Sequence, residues 1–322
     1  MCSYRPRVAD GELAQMRRAL GAILIEGPKA CGKTETASQV ARTVIQFDRD
    51  DTARAQVTLD PDALFTGEPP ILFDEWQLEP TIWNRVRRQV DERHAKGEFI
   101  LTGSSRPRDD VSRHSGAGRF AVLRMRPMSL FESGHSTGSV SFAALLAGER
   151  QPGVGTHLTF PELLKRIVVG GWPEIIDWAE EDARSWLNGY LDQIVETDIP
   201  AMGPRRNPRN LRRLLASLAR SVGQPVKLSE VARDVGGDAG PIAHETITGY
   251  IDALERLGLI DDSEAWRPHM RSRTRLRAAP VRYFVDPSLG PAALGIGSAE
   301  LRADPRASPL AGSTPITKVG RW

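Results

Sequence analysis

The chain has 322 residues, 40% of them hydrophobic, enough for a sizeable core and two or three domains. Its 43 Lys and Arg nearly balance its 41 Asp and Glu, so the formal charge of +2 neither implies nor excludes a nucleic-acid partner. Cys2 and Cys31 are its only cysteines, which excludes a disulfide framework and points to a reducing compartment. The six His and two Cys lack metal-ligand spacing, so no zinc is expected. The N-terminus Met1–Asp10 lacks the apolar core of a signal peptide, and no run approaches the roughly 18 apolar residues of a membrane span. The expected location is cytoplasmic.

In chain order, residues 1–21 read as a short arm and a helix (Gly11–Leu20) leading into an apolar strand, Ala22–Glu26. The next eight residues, Gly27, Pro28, Lys29, Ala30, Cys31, Gly32, Lys33 and Thr34, form a complete G-x-x-x-x-G-K-T pattern, followed from Glu35 by a helical stretch. Strand, loop and helix are the context a phosphate-binding loop requires. The two glycines let the backbone turn so that successive N–H groups face phosphate oxygens. Lys33 would reach the β- and γ-phosphates, and Thr34 would hold Mg²⁺. Cys31 reads as a small spacer whose backbone does the binding.

The helix after the loop is expected over Lys33–Phe47 and a further strand over Gln56–Leu59. Ile71–Phe73 is an apolar strand ending in Asp74 and Glu75. Asp74 would serve the metal and Glu75 would activate the attacking water. A helix over Ile82–Ala95 and a strand over Phe99–Leu101 come next, and Thr102 and Ser104 then fall at a strand's carboxyl end, where open parallel sheets bind ligands. Gly116–Arg119 precedes a strand over Ala121–Arg124. Arg119 is the candidate arginine finger, in cis or from a neighbouring subunit, with Arg106 and Arg113 as competitors. Strands alternating with helices predict a parallel sheet covered on both faces.

Gly134–Gly155, rich in Gly, Ser and Thr, reads as a linker or insertion with a short helix over Ser141–Ala147. Helices are expected over Thr159–Val169 and Glu181–Thr197, with a tight turn, Gly170–Glu174, that packs Trp172 into a core. Leu211, Leu214, Leu215 and Leu218 mark an amphipathic helix. A second runs from an N-cap at Ser229 to Val235, and a third over His244–Leu257 ends at Gly258. Leu259–Ile260 and Val281–Val285 then read as a hairpin, which completes the outline of a winged helix–turn–helix. Arg267, Arg271, Arg273, Arg275 and Arg277 form a basic stripe between those strands. It suits DNA phosphates, a solvated hairpin, or acidic surface of the ATPase domain. The tail from Gly295 to Trp322 has no period and is expected to be poorly ordered. The fold class is therefore α/β: a P-loop NTPase parallel sheet over 1–133, a linker and helical lid-like segment over 134–205, a winged-helix-like domain over 206–290 and a tail over 291–322.

Taken together, Gly27–Thr34, I-L-F-D-E-W-Q (Ile71–Gln77), I-L-T-G-S-S (Ile100–Ser105), A-G-R (Ala117–Arg119), P-M-S-L-F-E (Pro127–Glu132), G-G-W-P-E (Gly170–Glu174), Y-L-D-Q-I-V-E-T-D-I (Tyr190–Ile199) and V-R-Y-F-V-D (Val281–Asp286) resemble a known group. These are prokaryotic AAA-type ATPases with a C-terminal domain of uncharacterised function, similar to archaeal AAA ATPases and the STAND-like branch. The resemblance covers about residues 15–295. It implies ATP and Mg²⁺ as cofactors, a sensor-like Ser104 and a finger-like Arg119. Group members commonly continue into a restriction-endonuclease-like domain. Here Leu301–Ala307 looks like the approach to it, and the chain reads as a truncated member.

The expected function is an Mg·ATP-dependent ATPase working slowly as a conformational switch, with a homo-oligomer among its expected assemblies. The alternatives are a winged-helix DNA-binding protein in which ATP only tunes affinity, and an inactive truncated chain. ATP is favoured over GTP because the Asn-Lys-x-Asp pattern of guanine recognition is absent.

Overall fold

The computed structural model describes residues 4–103, 114–150, 158–203, 206–263 and 280–303. The chain divides into two units, Met1–Arg126 and Pro127–Trp322.

The first unit is built on five parallel strands: β1 (Ala22–Glu26), β2 (Thr43–Gln46), β3 (Ile71–Asp74), β4 (Phe99–Gly103) and β5 (Phe120–Arg124). Their order is β2-β3-β4-β1-β5. Strand β1 is central, in register with β4 from Ala22↔Phe99 and with β5 from Ala22↔Phe120. Its apolar residues, and all of Ile71–Asp74 and Phe99–Gly103, are buried, as expected of strands covered on both faces. The helices of this unit are α1 (Val8–Ala19), α2 (Lys33–Ser38), α3 (Asp51–Leu59) and α4 (Thr81–Arg93). Helix α4 turns Ile82, Trp83 and Val86 into the core, where Trp83 stacks on Phe120 with ring centres 4.0 Å apart. Phe65 packs on both Phe73 and Phe99 in the same cluster.

Two expectations are corrected here. The helix after the loop ends at Ser38, and Thr43–Gln46 is the edge strand β2. The run Thr43-Val44-Ile45 is β-branched, which suits a pleated surface better than a helix interior. Conversely, Gln56–Leu59 is not a strand but the end of α3. Asp50 starts that helix by accepting the Ala53 N–H at 3.0 Å, an N-cap that outweighs the β propensity of Val57 and Thr58. Strands β1, β3, β4 and β5 fall where the apolar runs place them.

In the second unit, α5 (Phe142–Leu146) is a single short helix. Helix α6 (Phe160–Val169) opens with a capping box: Glu162 donates its N–H to Thr159 Oγ1, and its carboxylate accepts from Thr159. Helix α7 (Glu180–Gln193) widens into a π-type turn, Ile194–Asp198, and ends in the one-turn α8 (Ile199–Ala201). Three of the sequence blocks named above meet in this unit. Met128 donates its N–H to the Gly171 carbonyl, and Gly171 donates its own to Asp286 Oδ2 at 2.9 Å. The Trp172 indole donates to Ser288 Oγ at 3.1 Å. Trp172 is fully buried against Trp186 and Tyr190, the core-packing turn expected from Gly170–Glu174. Burial pushes the Asp286 carboxyl up, while the N–H and O–H groups of Gly171 and Ser288 pull it back.

Helices α9 (Pro208–Arg220), α10 (Leu228–Gly236) and α11 (His244–Arg256) follow. Leu211, Leu214, Leu215 and Leu218 are buried as their spacing implies. Ser229 is not the N-cap of α10: the helix starts at Leu228, with Lys227 in the cap position. Strands β6 (Ile260–Ser263) and β7 (Val281–Phe284) pair antiparallel, with Ile260 opposite Phe284. An isolated bridge joins Pro225 to Val281. Helices α12 (Leu289–Leu294) and α13 (Ser298–Ala303) close the described part. The start of the tail expected to be poorly ordered is thus helical, because Leu301 is buried against Leu164, Ile167 and Val168 and Ser298 donates its N–H to Glu180 at 2.8 Å; residues 304–322 lie outside the described residues.

Candidate nucleotide site

The loop Gly27–Thr34 leaves the carboxyl end of the central strand β1. Two of its residues take positive φ, Ala30 at 62° and Gly32 at 98°, the alternation that turns consecutive N–H groups into one concavity. Gly27 has no room for a side chain: a Cβ there would lie 2.5 Å from the Met125 carbonyl oxygen. Cys31 is fully buried, and burial pushes its thiol up, so it is a packing residue.

Lys33 is only 6% exposed. Its Nζ folds back over the loop and donates to the carbonyls of Gly27 (3.0 Å) and Pro28 (2.8 Å). Thr34 Oγ1 donates to Asp74 Oδ1 at 2.8 Å. Thr102, at the end of β4, donates to the same oxygen at 2.5 Å, and Gln46, at the end of β2, reaches Asp74 Oδ2 at 3.4 Å. Four strand ends thus converge on the loop and on one buried carboxylate, 4% exposed.

Glu75 follows Asp74 in the left-handed region at φ 52°, a conformation rare outside glycine that turns the chain sharply off the strand. Gln77 donates to its carboxylate. The Gln77 side-chain oxygen Oε1 is buried without a hydrogen-bond partner among the described residues.

Arg119 lies elsewhere. It immediately precedes β5, whose first residue pairs with Ala22, so it sits at the amino end of the sheet. The loop leaves β1 at the opposite end. Arg119 donates from Nε to Asp91 Oδ1 (2.8 Å) and from Nη2 to Oδ2 (3.3 Å), holding the Asp91 carboxyl below its usual range. Its own guanidinium is pushed up by the same contact. Ser104, Arg106, Arg113 and the Arg267–Arg277 stripe lie outside the described residues.

Sequence reasoning missed two partners of the site. By local pattern Gln46 reads as part of a helix, and Arg7 as part of an arm without a role. The Arg7 guanidinium donates to the Cys31 carbonyl (2.9 Å) and to the Arg126 carbonyl (2.6 Å). The signal available for it was Asp10, an acidic residue three positions on that suits a helix start.

Residues 20–133 match a family described as "AAA domain", and residues 161–300 match a "Domain of unknown function (DUF8612)". A Walker-type ATPase of Pyrococcus abyssi superposes with a TM-score of 0.51 at 11% identity, covering 90% of this chain and 96% of that one. A DNA replication initiation factor gives a TM-score of 0.26 at 17% identity over 77% of this chain and 86% of its own, too low to bear on the fold. An uncharacterised protein of Haemophilus influenzae is 25% identical over 179 residues, 56% of this chain. The chain spans 41% of the length of that curated relative. Together with the parallel sheet and the loop geometry, these matches support an AAA-type P-loop fold for the first unit, the fold of an ATP-binding NTPase.

Proposed function

We propose that this chain is an Mg·ATP-dependent ATPase in which nucleotide state drives a conformational switch. One observation carries the reading: Lys33 and Thr34 of the loop, Asp74 of β3 and Glu75 just after it stand at one end of one sheet, with Thr34 bonded to Asp74. Lys33 would exchange its two carbonyl partners for phosphate oxygens, which are stronger, charge-assisted acceptors. Glu75 would take the proton of the attacking water. Mg²⁺ fits the donor set of a hydroxyl and a carboxylate, both hard oxygen ligands, and Thr34 and Asp74 would hold it. When bound, the ion would neutralise charge developing on the phosphates. Ser104 is proposed as the sensor-like group. Arg119 is proposed as a finger supplied to a neighbouring subunit, since its own sheet places it away from the loop.

The test is ATP turnover by wild type, Lys33→Ala and Glu75→Gln. Wild-type turnover lost in both variants, with ATP still bound by Glu75→Gln, is the expected result. A wild type that neither binds nor hydrolyses ATP refutes the reading.

A second reading is supported by the order α9, α10, α11, β6, β7 with the bridge at Pro225, the element order expected of a winged helix. On that reading the protein binds DNA, through Arg267, Arg271, Arg273, Arg275 and Arg277, and ATP tunes affinity. Steep salt dependence of DNA binding, lost when those arginines are neutralised, would support it.

A further inference from the structure

A loop that points its N–H groups inward at phosphate turns carbonyls outward, and a buried outward carbonyl needs a donor. At Cys31, whose side chain is fully buried, that donor is Arg7 Nη1, at 2.9 Å. The same guanidinium reaches the Arg126 carbonyl through Nη2 at 2.6 Å. Arg126 follows Met125, whose carbonyl closes on Gly27 at the start of the loop. Arg7 therefore bridges the middle of the loop to the segment that walls its first glycine. Only 8% of Arg7 is exposed, so its charge is committed to this place.

The arm around Arg7 is tied down independently. Arg7 donates its backbone N–H to Asp10 Oδ2 at 2.8 Å. The Tyr4 hydroxyl donates to Asp10 Oδ1 at 2.6 Å and lies 3.0 Å from Thr36 Oγ1. Thr36 sits in α2, two residues past the proposed metal ligand Thr34, and is 1% exposed. The arm thus grips the loop at Cys31 and the following helix at Thr36.

We propose that Arg7 is a positioning residue of the nucleotide site, and that the segment Tyr4–Asp10 and the phosphate-binding loop order one another. Arg7 does not touch the phosphates. It fixes the peptide whose neighbouring N–H groups do, so it favours the binding-competent shape of the loop. By reciprocity, nucleotide that selects that shape tightens the arm. The proposal rests on the ATP-binding reading above.

The test uses the full-length protein and Mg·ATP. Arg7→Ala is expected to weaken ATP binding, measured calorimetrically, by about tenfold, the loss of a charged hydrogen-bond pair. Turnover at saturating ATP should stay within about twofold, so the loss falls on KM rather than kcat. Millimolar guanidinium should restore affinity to Arg7→Ala and leave wild type unchanged, and Arg7→Lys should recover part of it, because an ammonium lacks the planar fork. In wild type, Mg·ATP should slow amide exchange across Tyr4–Asp10. Wild-type affinity in Arg7→Ala overturns the proposal while leaving the ATP reading intact. So does a loss that guanidinium does not rescue, or arm exchange that saturating ATP leaves unchanged. A wild type that binds no ATP overturns both.

Discussion

The Thr34 hydroxyl donates to the Asp74 carboxylate across 2.8 Å, tying the end of the phosphate-binding loop to the end of β3. Both groups are oxygen donors, and their separation suits two ligands of one cation. Asp74→Asn keeps the shape and an acceptor for Thr34 and Thr102 but removes the charge. Turnover should fall by about a hundredfold or more, and its Mg²⁺ dependence should flatten, with the melting temperature little changed. Titrating Mg²⁺ against turnover checks this. A variant with wild-type turnover at low Mg²⁺ contradicts the assignment.

Arg119 and Asp91 form a two-point ion pair at the amino end of the sheet. The length of β1, five residues or about 16 Å, separates that end from the loop. An arginine side chain does not span it. Turnover by dilute, monomeric Arg119→Ala should therefore equal that of wild type. If neighbouring subunits supply the finger, the variant falls behind only at concentrations where wild type assembles. A dilution series read with sedimentation velocity decides. A defect in the dilute monomer would place Arg119 in its own site.

The site was legible where chemistry demands contiguous residues. Gly27–Thr34 and Asp74–Glu75 carry their spacing in the chain itself, and the apolar runs before them could only be buried strands. What escaped depends on contacts between distant segments. Gln46 reaches Asp74 only because Thr43–Gln46 pairs beside β3, and an edge strand of four residues with one exposed position has too little alternation to declare itself. Arg7 meets Cys31 across 24 positions, a pairing no local pattern encodes. For Arg119 the sequence leaves open whether it serves its own site or a neighbouring subunit's. Its neighbourhood in sequence was clear, but a residue before a parallel strand lies at the end away from the ligand crevice. In the second unit, Gly170–Glu174 announced a packed turn, and its partners Met128 and Asp286 lie too far along the chain for sequence to name them.

Gly171 leaves no space for a side chain. A Cβ there would lie 1.9 Å from the Met128 carbonyl oxygen, which is backbone and cannot swing aside. Gly171→Ala should cost about 3 kcal/mol or more, at the upper end of overpacking effects, and lower the melting temperature by several degrees. Gly189, inside α7, is the control: an added Cβ there meets nothing within 4 Å. Gly189→Ala should stabilise by about 0.5–1 kcal/mol. Thermal melts of the two variants should move in opposite directions. A neutral Gly171→Ala would mean that the Met128–Gly171 contact is not held in solution.

The Tyr4 hydroxyl is pushed up from 10.0 to about 12, first by burial and then by its bond to Asp10. The neutral phenol is therefore favoured in the folded arm. A group whose folded value is raised gives stability that is complete below its unfolded value and lost as pH rises through the folded one. The arm's hold on Thr36 and Asp10 should be intact below about pH 10 and fade between pH 10 and 12. Because Tyr4 is only partly buried, the effect on global stability is small, and a local probe is the right one. In a tyrosinate absorbance titration, Tyr4 should contribute a phase near pH 12, and Tyr4→Phe should remove that phase. The same variant should exchange its Arg7–Asp10 amides faster at neutral pH. An unchanged late phase in Tyr4→Phe would assign it to another tyrosine and leave the arm without its alkaline limit.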